Sequence, residues 1–134
     1  MLTPIREHVA SALMDGRIMI SGGYTGSIDV TNKVILYDPL LDTWNITSNL
    51  RDSRYKHTAT VLSNGKVLVA GGYNTTSTNR VEIYDPLTGK WTTTFERMNY
   101  ERYKHTASLL PNGRVLVIGG ESSNNYLNSA ELYY

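Results

Sequence analysis

The sequence predicts an all-β chain built from a repeated four-stranded antiparallel unit, present twice in full and once with three strands. Three observations carry that reading. His8, His57 and His105 are each followed, 14 residues on, by a glycine pair: Gly22-Gly23, Gly71-Gly72 and Gly119-Gly120. Between each histidine and its glycines stand a β-rich run, a tight turn and a second β-rich run, and the copies align there without a gap. No stretch shows a helical period. The glycine pairs lie 49 and 48 residues apart, and a fixed period of that size signals a repeat architecture.

The second copy spells out the unit. His57 to Leu62 is a short run rich in β-branched residues, which suit a pleated, half-buried surface. Ser63-Asn64-Gly65 follows, and Asn-Gly predicts a type I′ hairpin turn, in which both central residues need positive φ. Asp15-Gly16 and Asn112-Gly113 stand at the same place in the other copies. Lys66 to Ala70 predicts the second strand and Arg80 to Tyr84 the third. Asp85-Pro86-Leu87-Thr88-Gly89 supplies a turn, with Pro fixing φ and Gly free to take positive φ. Lys90 to Thr94, carrying Trp91, predicts the fourth strand. The glycine pair ends the second strand in every copy, so a close backbone approach is expected there rather than a ligand site.

Arg54-x-x-His57, Asn64-Gly65, Gly71-Gly72, Tyr84-Asp85-Pro86 and Trp91, in that order, resemble the kelch repeat. The resemblance covers essentially the whole chain: repeat one at 1–49, repeat two at 50–97 and a truncated repeat three at 98–134. It implies a partial β-propeller, two complete four-stranded blades plus a three-stranded third. Two positions depart from the pattern. Ile5 replaces the arginine in copy one, and Tyr134 stands where aspartate is expected in copy three. Because propellers typically have at least about four blades, the expectation is a fragment of a longer propeller first, and a pair of self-associating copies second. Trp44 and Trp91 are expected in the core between blades.

Composition narrows the function classes. A hydrophobic content of 40% allows a core. With no cysteine there is no disulfide framework and no thiolate chemistry. A formal net charge of +1 gives no general case for nucleic acid or membrane binding. No apolar run approaches a membrane span. Met1-Leu-Thr-Pro-Ile-Arg6 lacks the features of a secretory signal, so the cytoplasm is the expected compartment. The sequons at Asn45 and Asn74 carry little weight in such Asn/Thr-rich loops.

No active site is expected, and neither a metal nor a cofactor. Each histidine opens an equivalent strand in its own blade, so the three lie around a ring rather than converge on an ion. No carboxylate recurs beside them: Glu7 precedes His8, but Lys56 and Lys104 take that place later. No nucleophile–base–orienter set can be assembled from a local motif. The resemblance also reaches galactose oxidase-like propellers, whose copper chemistry needs a cysteine-crosslinked tyrosine that this chain cannot build. The box motifs of sialidase propellers are not apparent.

The expected function is therefore a non-catalytic protein-interaction module, binding a protein or peptide through a loop face. The alternative is a carbohydrate-binding or galactose oxidase-like propeller module without an intact copper site. In a four-stranded meander the loop between strands two and three lies on the same face as the connection to the next blade, and these are where the copies disagree. Arg54, Tyr55, Tyr73, Arg102, Tyr103 and Tyr126 fall there, and tyrosine and arginine are enriched at binding hot spots. An acidic or hydroxyl-bearing peptide would be the target, its carboxylates gripped by guanidinium forks. Beside this stands a structural reading: Arg54 and Arg102 recur with the repeat, so blade packing would also explain them.

Overall fold

The computed structural model describes residues 3–26 and 29–133. Ser27, Ile28, Tyr134 and the first two residues, which belong to the expected loop and repeat boundaries, lie outside the described residues. The described chain is all β. In the first copy the strands are Ile5–Arg6 (β1), Val9–Ala12 (β2), Ile18–Ser21 (β3), Tyr24–Thr25 (β4), Asp29–Val30 (β5), Val34–Asp38 (β6) and Thr43–Ile46 (β7). In the second they are Thr58–Val61 (β8), Val67–Ala70 (β9), Tyr73–Asn74 (β10), Thr76–Ser77 (β11), Val81–Asp85 (β12) and Lys90–Thr93 (β13). Thr106–Leu109 (β14), Val115–Ile118 (β15) and Ala130–Tyr133 (β16) complete the third.

Three antiparallel blades result: β2-β3-β6-β7, β8-β9-β12-β13 and β14-β15-β16. Their registers repeat. Ile18 faces Tyr37 and Tyr37 faces Trp44; Val67 faces Tyr84 and Tyr84 faces Trp91; Val115 faces Tyr133. The blades form an open arc of a kelch-type propeller. Their innermost strands β2, β8 and β14 touch in that order.

The turns differ from the expected type I′. Only the glycine takes positive φ, at 88° for Gly16, 82° for Gly65 and 81° for Gly113. The Gly65 amide donates to Leu62 O at 2.9 Å, and the Leu62 amide donates to Lys66 O at 2.8 Å. That is a three-residue loop: a type I turn closed by a left-handed glycine bulge. Asn64 Oδ1 accepts the Lys66 amide at 3.1 Å, as Asp15 and Asn112 do for Arg17 and Arg114. The side-chain acceptor two residues upstream explains why Asn or Asp recurs.

Two cores lie between blades. Leu13, Met19 and Leu36 of the first blade and Leu50 of the connection meet Val67, Val69 and Tyr84 of the second. Leu62, Leu68, Val81 and Met98 then meet Val115, Val117 and Tyr133 of the third. The glycine pair permits this approach. A Cβ on Gly71, at φ +63°, would meet His105 Cε1 at 2.7 Å and also Arg102 O. Gly71→Ala should therefore lower the melting midpoint far more than Gly119→Ala. At Gly119 a Cβ would meet only Leu127 O, at 3.6 Å, leaving about 1–2 kcal/mol of left-handed strain. Thermal denaturation of the two variants reads the difference, and equal losses would contradict the packing role.

Candidate functional site

The segment entering each blade runs antiparallel to the residues that follow that blade's glycine pair. Arg6 pairs with Tyr24, Tyr55 with Tyr73, and Tyr103 with Glu121. Inter-blade connections and second-to-third loops therefore share one face, and consecutive blades set their tyrosines in a row. Tyr24 and Tyr55 have ring centroids 5.4 Å apart, Tyr55 and Tyr73 5.7 Å, and Tyr73 and Tyr103 5.0 Å. All three contacts are edge-to-face, the arrangement that ring quadrupoles favour.

Cations flank the row. The Arg6 guanidinium lies 5.0 Å from the Tyr24 centroid, Lys56 Nζ 5.1 Å from that of Tyr55, and Lys104 Nζ 5.7 Å from that of Tyr103. These are cation–π distances. Glu7 sits 3.6 Å from Lys56 and Glu121 2.8 Å from Lys104. Three cations and two carboxylates leave one positive charge in excess. The hydrogen bond from Lys104 holds the Glu121 carboxyl below its ordinary range. The same carboxylate pushes the Tyr103 hydroxyl up, and burial pushes up that of Tyr55. Both hydroxyls thus stay protonated, and able to donate, at neutral pH. All four rings are partly exposed.

Of the expected partner-binding residues, Tyr55, Tyr73 and Tyr103 come together in this row. Tyr126 reaches it through the backbone, bridging to Glu121, and its side chain is 87% exposed. Arg54 and Arg102 are a correction: both are fully buried. Arg54 donates to Glu82 Oε1 at 2.5 Å and to Gly71 O at 2.9 Å. Arg102 donates to Glu131 Oε1 at 2.5 Å and to Gly119 O at 2.7 Å. The carboxylate each one grips is its own blade's, so no fork is left for a partner. Burial pulls the Arg54 guanidinium down from its ordinary value, while the Glu82 and Asp52 charges hold it up. Glu82 and Glu131 recur two residues before the strand-three tyrosine, a signal that pointed to the pair.

Sequence reasoning missed Tyr24, Arg6, Lys56 and Lys104. Superposing the copies on the histidine places Arg6, Tyr55 and Tyr103 at one position, and Glu7, Lys56 and Lys104 at the next. The tryptophans divide. Trp91 packs on the first core and donates from Nε1 to Ser48 O at 2.9 Å, whereas Trp44 is 45% exposed on the first blade's open side.

The histidines join blades. His57 Nε2 lies 3.0 Å from Ser21 Oγ, and His105 Nε2 2.8 Å from Thr58 Oγ1, each hydroxyl belonging to the preceding blade. Burial pushes the His57 imidazole down to about 3 and that of His105 to about 4, and the neighbouring Arg54 and Arg102 charges add to the shift. Among the described residues no cluster of three or more His, Asp or Glu is placed to hold a metal ion.

Residues 5–51 and 54–94 match the Kelch motif. The chain belongs to the kelch-repeat family. The two matches cover its first two kelch blades. The third sheet, beyond them, repeats the kelch register, with Val115 facing Tyr133 as Val67 faces Tyr84. No curated protein matches the sequence. Kelch repeats are generally protein-interaction modules and typically non-catalytic.

Proposed function

We propose that this chain is a non-catalytic module that binds an acidic peptide segment of a partner protein along the row Tyr24-Tyr55-Tyr73-Tyr103. The observation behind the reading is the row itself. Four partly exposed rings, held edge to face and flanked by Arg6, Lys56 and Lys104, offer rigid aromatic area with cations at its border. Tyrosine supplies contact area at low entropic cost, and its hydroxyl donates to carboxylates. The cations draw an acidic segment toward the face. Since the chain's own acids are already engaged with Lys56 and Lys104, an incoming carboxylate competes for those ammonium groups, which makes binding salt-sensitive.

Selection from a displayed peptide library should return sequences rich in Asp and Glu. Tyr73→Ala should weaken the best of them by about 30-fold or more, the loss typical of a hot-spot residue. Ser63→Ala, on a hairpin turn, should leave binding unchanged. Selected peptides without acidic residues, or full affinity in Tyr73→Ala, would refute the reading. A glycan array probes the carbohydrate alternative: selective sugar binding lost in Tyr73→Ala would replace the peptide reading.

A further inference from the structure

Each blade sets two residues side by side on the tyrosine face, one from the segment that enters the blade and one that directly follows its glycine pair. The pairs are Arg6 with Tyr24, Tyr55 with Tyr73, and Tyr103 with Glu121. The second position holds tyrosine in the first two copies and a carboxylate in the third. Glu121 is thus an acid standing where the repeat otherwise carries a ring.

Its backbone is fixed. The Glu121 amide donates to Tyr103 O at 2.8 Å, and the Tyr103 amide donates to Glu121 O at 2.9 Å. In an antiparallel pair that exchanges both bonds, the two side chains lie on the same face as close neighbours. Lys104 is fixed as well. It takes φ 53°, uncommon for a lysine, and its amide is tied across the blade joint to Lys56 O at 3.0 Å. From that backbone Nζ donates to Glu121 Oε1 at 2.8 Å and lies 5.7 Å from the Tyr103 centroid. The bonds from Lys104 and then Tyr103 hold the Glu121 carboxyl below its ordinary range, and the carboxylate raises both of its partners in turn.

These are the contacts an acidic ligand would make. A carboxylate meets an ammonium and a phenol hydroxyl, and the Tyr73 ring stands 5.0 Å from that of Tyr103. Lys56, one blade back, meets Glu7 only at 3.6 Å. On the acidic-peptide reading of the row, on which this inference rests, we propose that Tyr103 and Lys104 form a carboxylate-binding subsite and that Glu121 is its internal occupant. The contact is autoinhibitory: an acidic side chain of the partner binds there by displacing Glu121. The exchange is feasible because the pair is partly open, with side-chain exposures of 47% for Lys104 and 25% for Glu121. Removing Glu121's charge then strengthens binding, the opposite of what loss of an ordinary contact residue does.

Calorimetric titration with an acetylated triglutamate peptide tests the inference. Glu121→Gln should bind the peptide about five-fold tighter than wild type, the scale set by an exposed ion pair. Glu121→Tyr, which places there the residue of the other two copies, should show a similar gain and carries the test if the first variant fails to fold. Adding Lys104→Gln to either should abolish the gain. The ε-carbon resonance of Lys104, followed against pH, supplies a readout that a merely structural role would not move. Its titration should fall toward the ordinary lysine value in Glu121→Gln and rise again with saturating peptide. Glu121 variants that bind no tighter than wild type, or a gain that survives Lys104→Gln, would overturn the inference. If it fails in that way while Tyr73→Ala still loses affinity, the row stands without the subsite. If the gain appears and Tyr73→Ala binds as wild type does, the subsite stands and the row falls.

Discussion

Replacing Arg54 by isoleucine should cost about 3–5 kcal/mol of unfolding free energy, and replacing Glu82 by isoleucine as well should return most of it. The single change strands the Glu82 carboxylate, which is buried with 0% exposure. A desolvated charge that loses its partner is among the largest single-site costs in a protein. The double change removes both charges and places there the residues that the first repeat carries at the same positions. In the first repeat, the positions of Arg54 and Glu82 are held by Ile5 and Ile35, so the repeat unit accepts apolar residues at both places. The Gly71 and Arg80 carbonyls lose their guanidinium donor in both variants, which keeps the recovery incomplete. Urea midpoints with their slopes, for wild type, both single variants and the double, give the coupling. A double variant no more stable than Arg54→Ile alone would contradict this account.

The second large effect is acid instability that begins well above the carboxylate range. His57 and His105 titrate near 3 and 4 when folded, and near 6.5 when unfolded. Above pH 6.5 both states carry neutral imidazole and nothing is lost. Below it the unfolded chain takes up protons that the blade joints refuse, so stability falls as pH falls, down to the folded values. Across pH 6.5 to 4 the two sites together amount to several kcal/mol, on the order of 1.4 kcal/mol per unit per site. Arg54 and Arg102, the nearest cations, oppose protonation at every step of that range. His57→Gln keeps a polar side chain near Ser21 without a titrating group and should flatten the slope between pH 6 and 4. Chemical unfolding at half-unit pH steps measures it, and an unaltered slope in the variant would refute the assignment.

The hairpins and their order were legible in the sequence because β-branched runs and turn residues act locally. The turn type was not, since Asn-Gly serves both a type I′ turn and a type I turn with a glycine bulge; the choice rests on the cross-strand register. Arg54 looked like a surface residue because it lies in a polar connection. Its burial depends on Glu82, 28 residues on, and on the blade in front, whose Thr31 carbonyl and Gly23 amide bond its backbone. The tyrosine row was half legible. Tyr55, Tyr73 and Tyr103 drew notice as loop aromatics, but their contact arises only when neighbouring blades set adjacent loops side by side, and Tyr24 joins by that same geometry. Lys56 and Lys104 read as a replaced acid beside the histidine, not as partners of the ring one residue earlier.

The backbone joints also bear on how the chain folds. Among the described residues every hydrogen bond between blades joins neighbours in the arc: Arg54 with Thr31, Lys104 with Lys56, Ser77 with Ser123. No bond among the described residues ties the first blade to the third. Folding then resembles growth along a line, in which any hairpin can serve as the seed and each new blade docks on a completed one. Loop closure stays within about one repeat, so its entropic cost does not climb with the length of the array. The middle blade, with a neighbour packed on each of its faces, is the natural place for such growth to start.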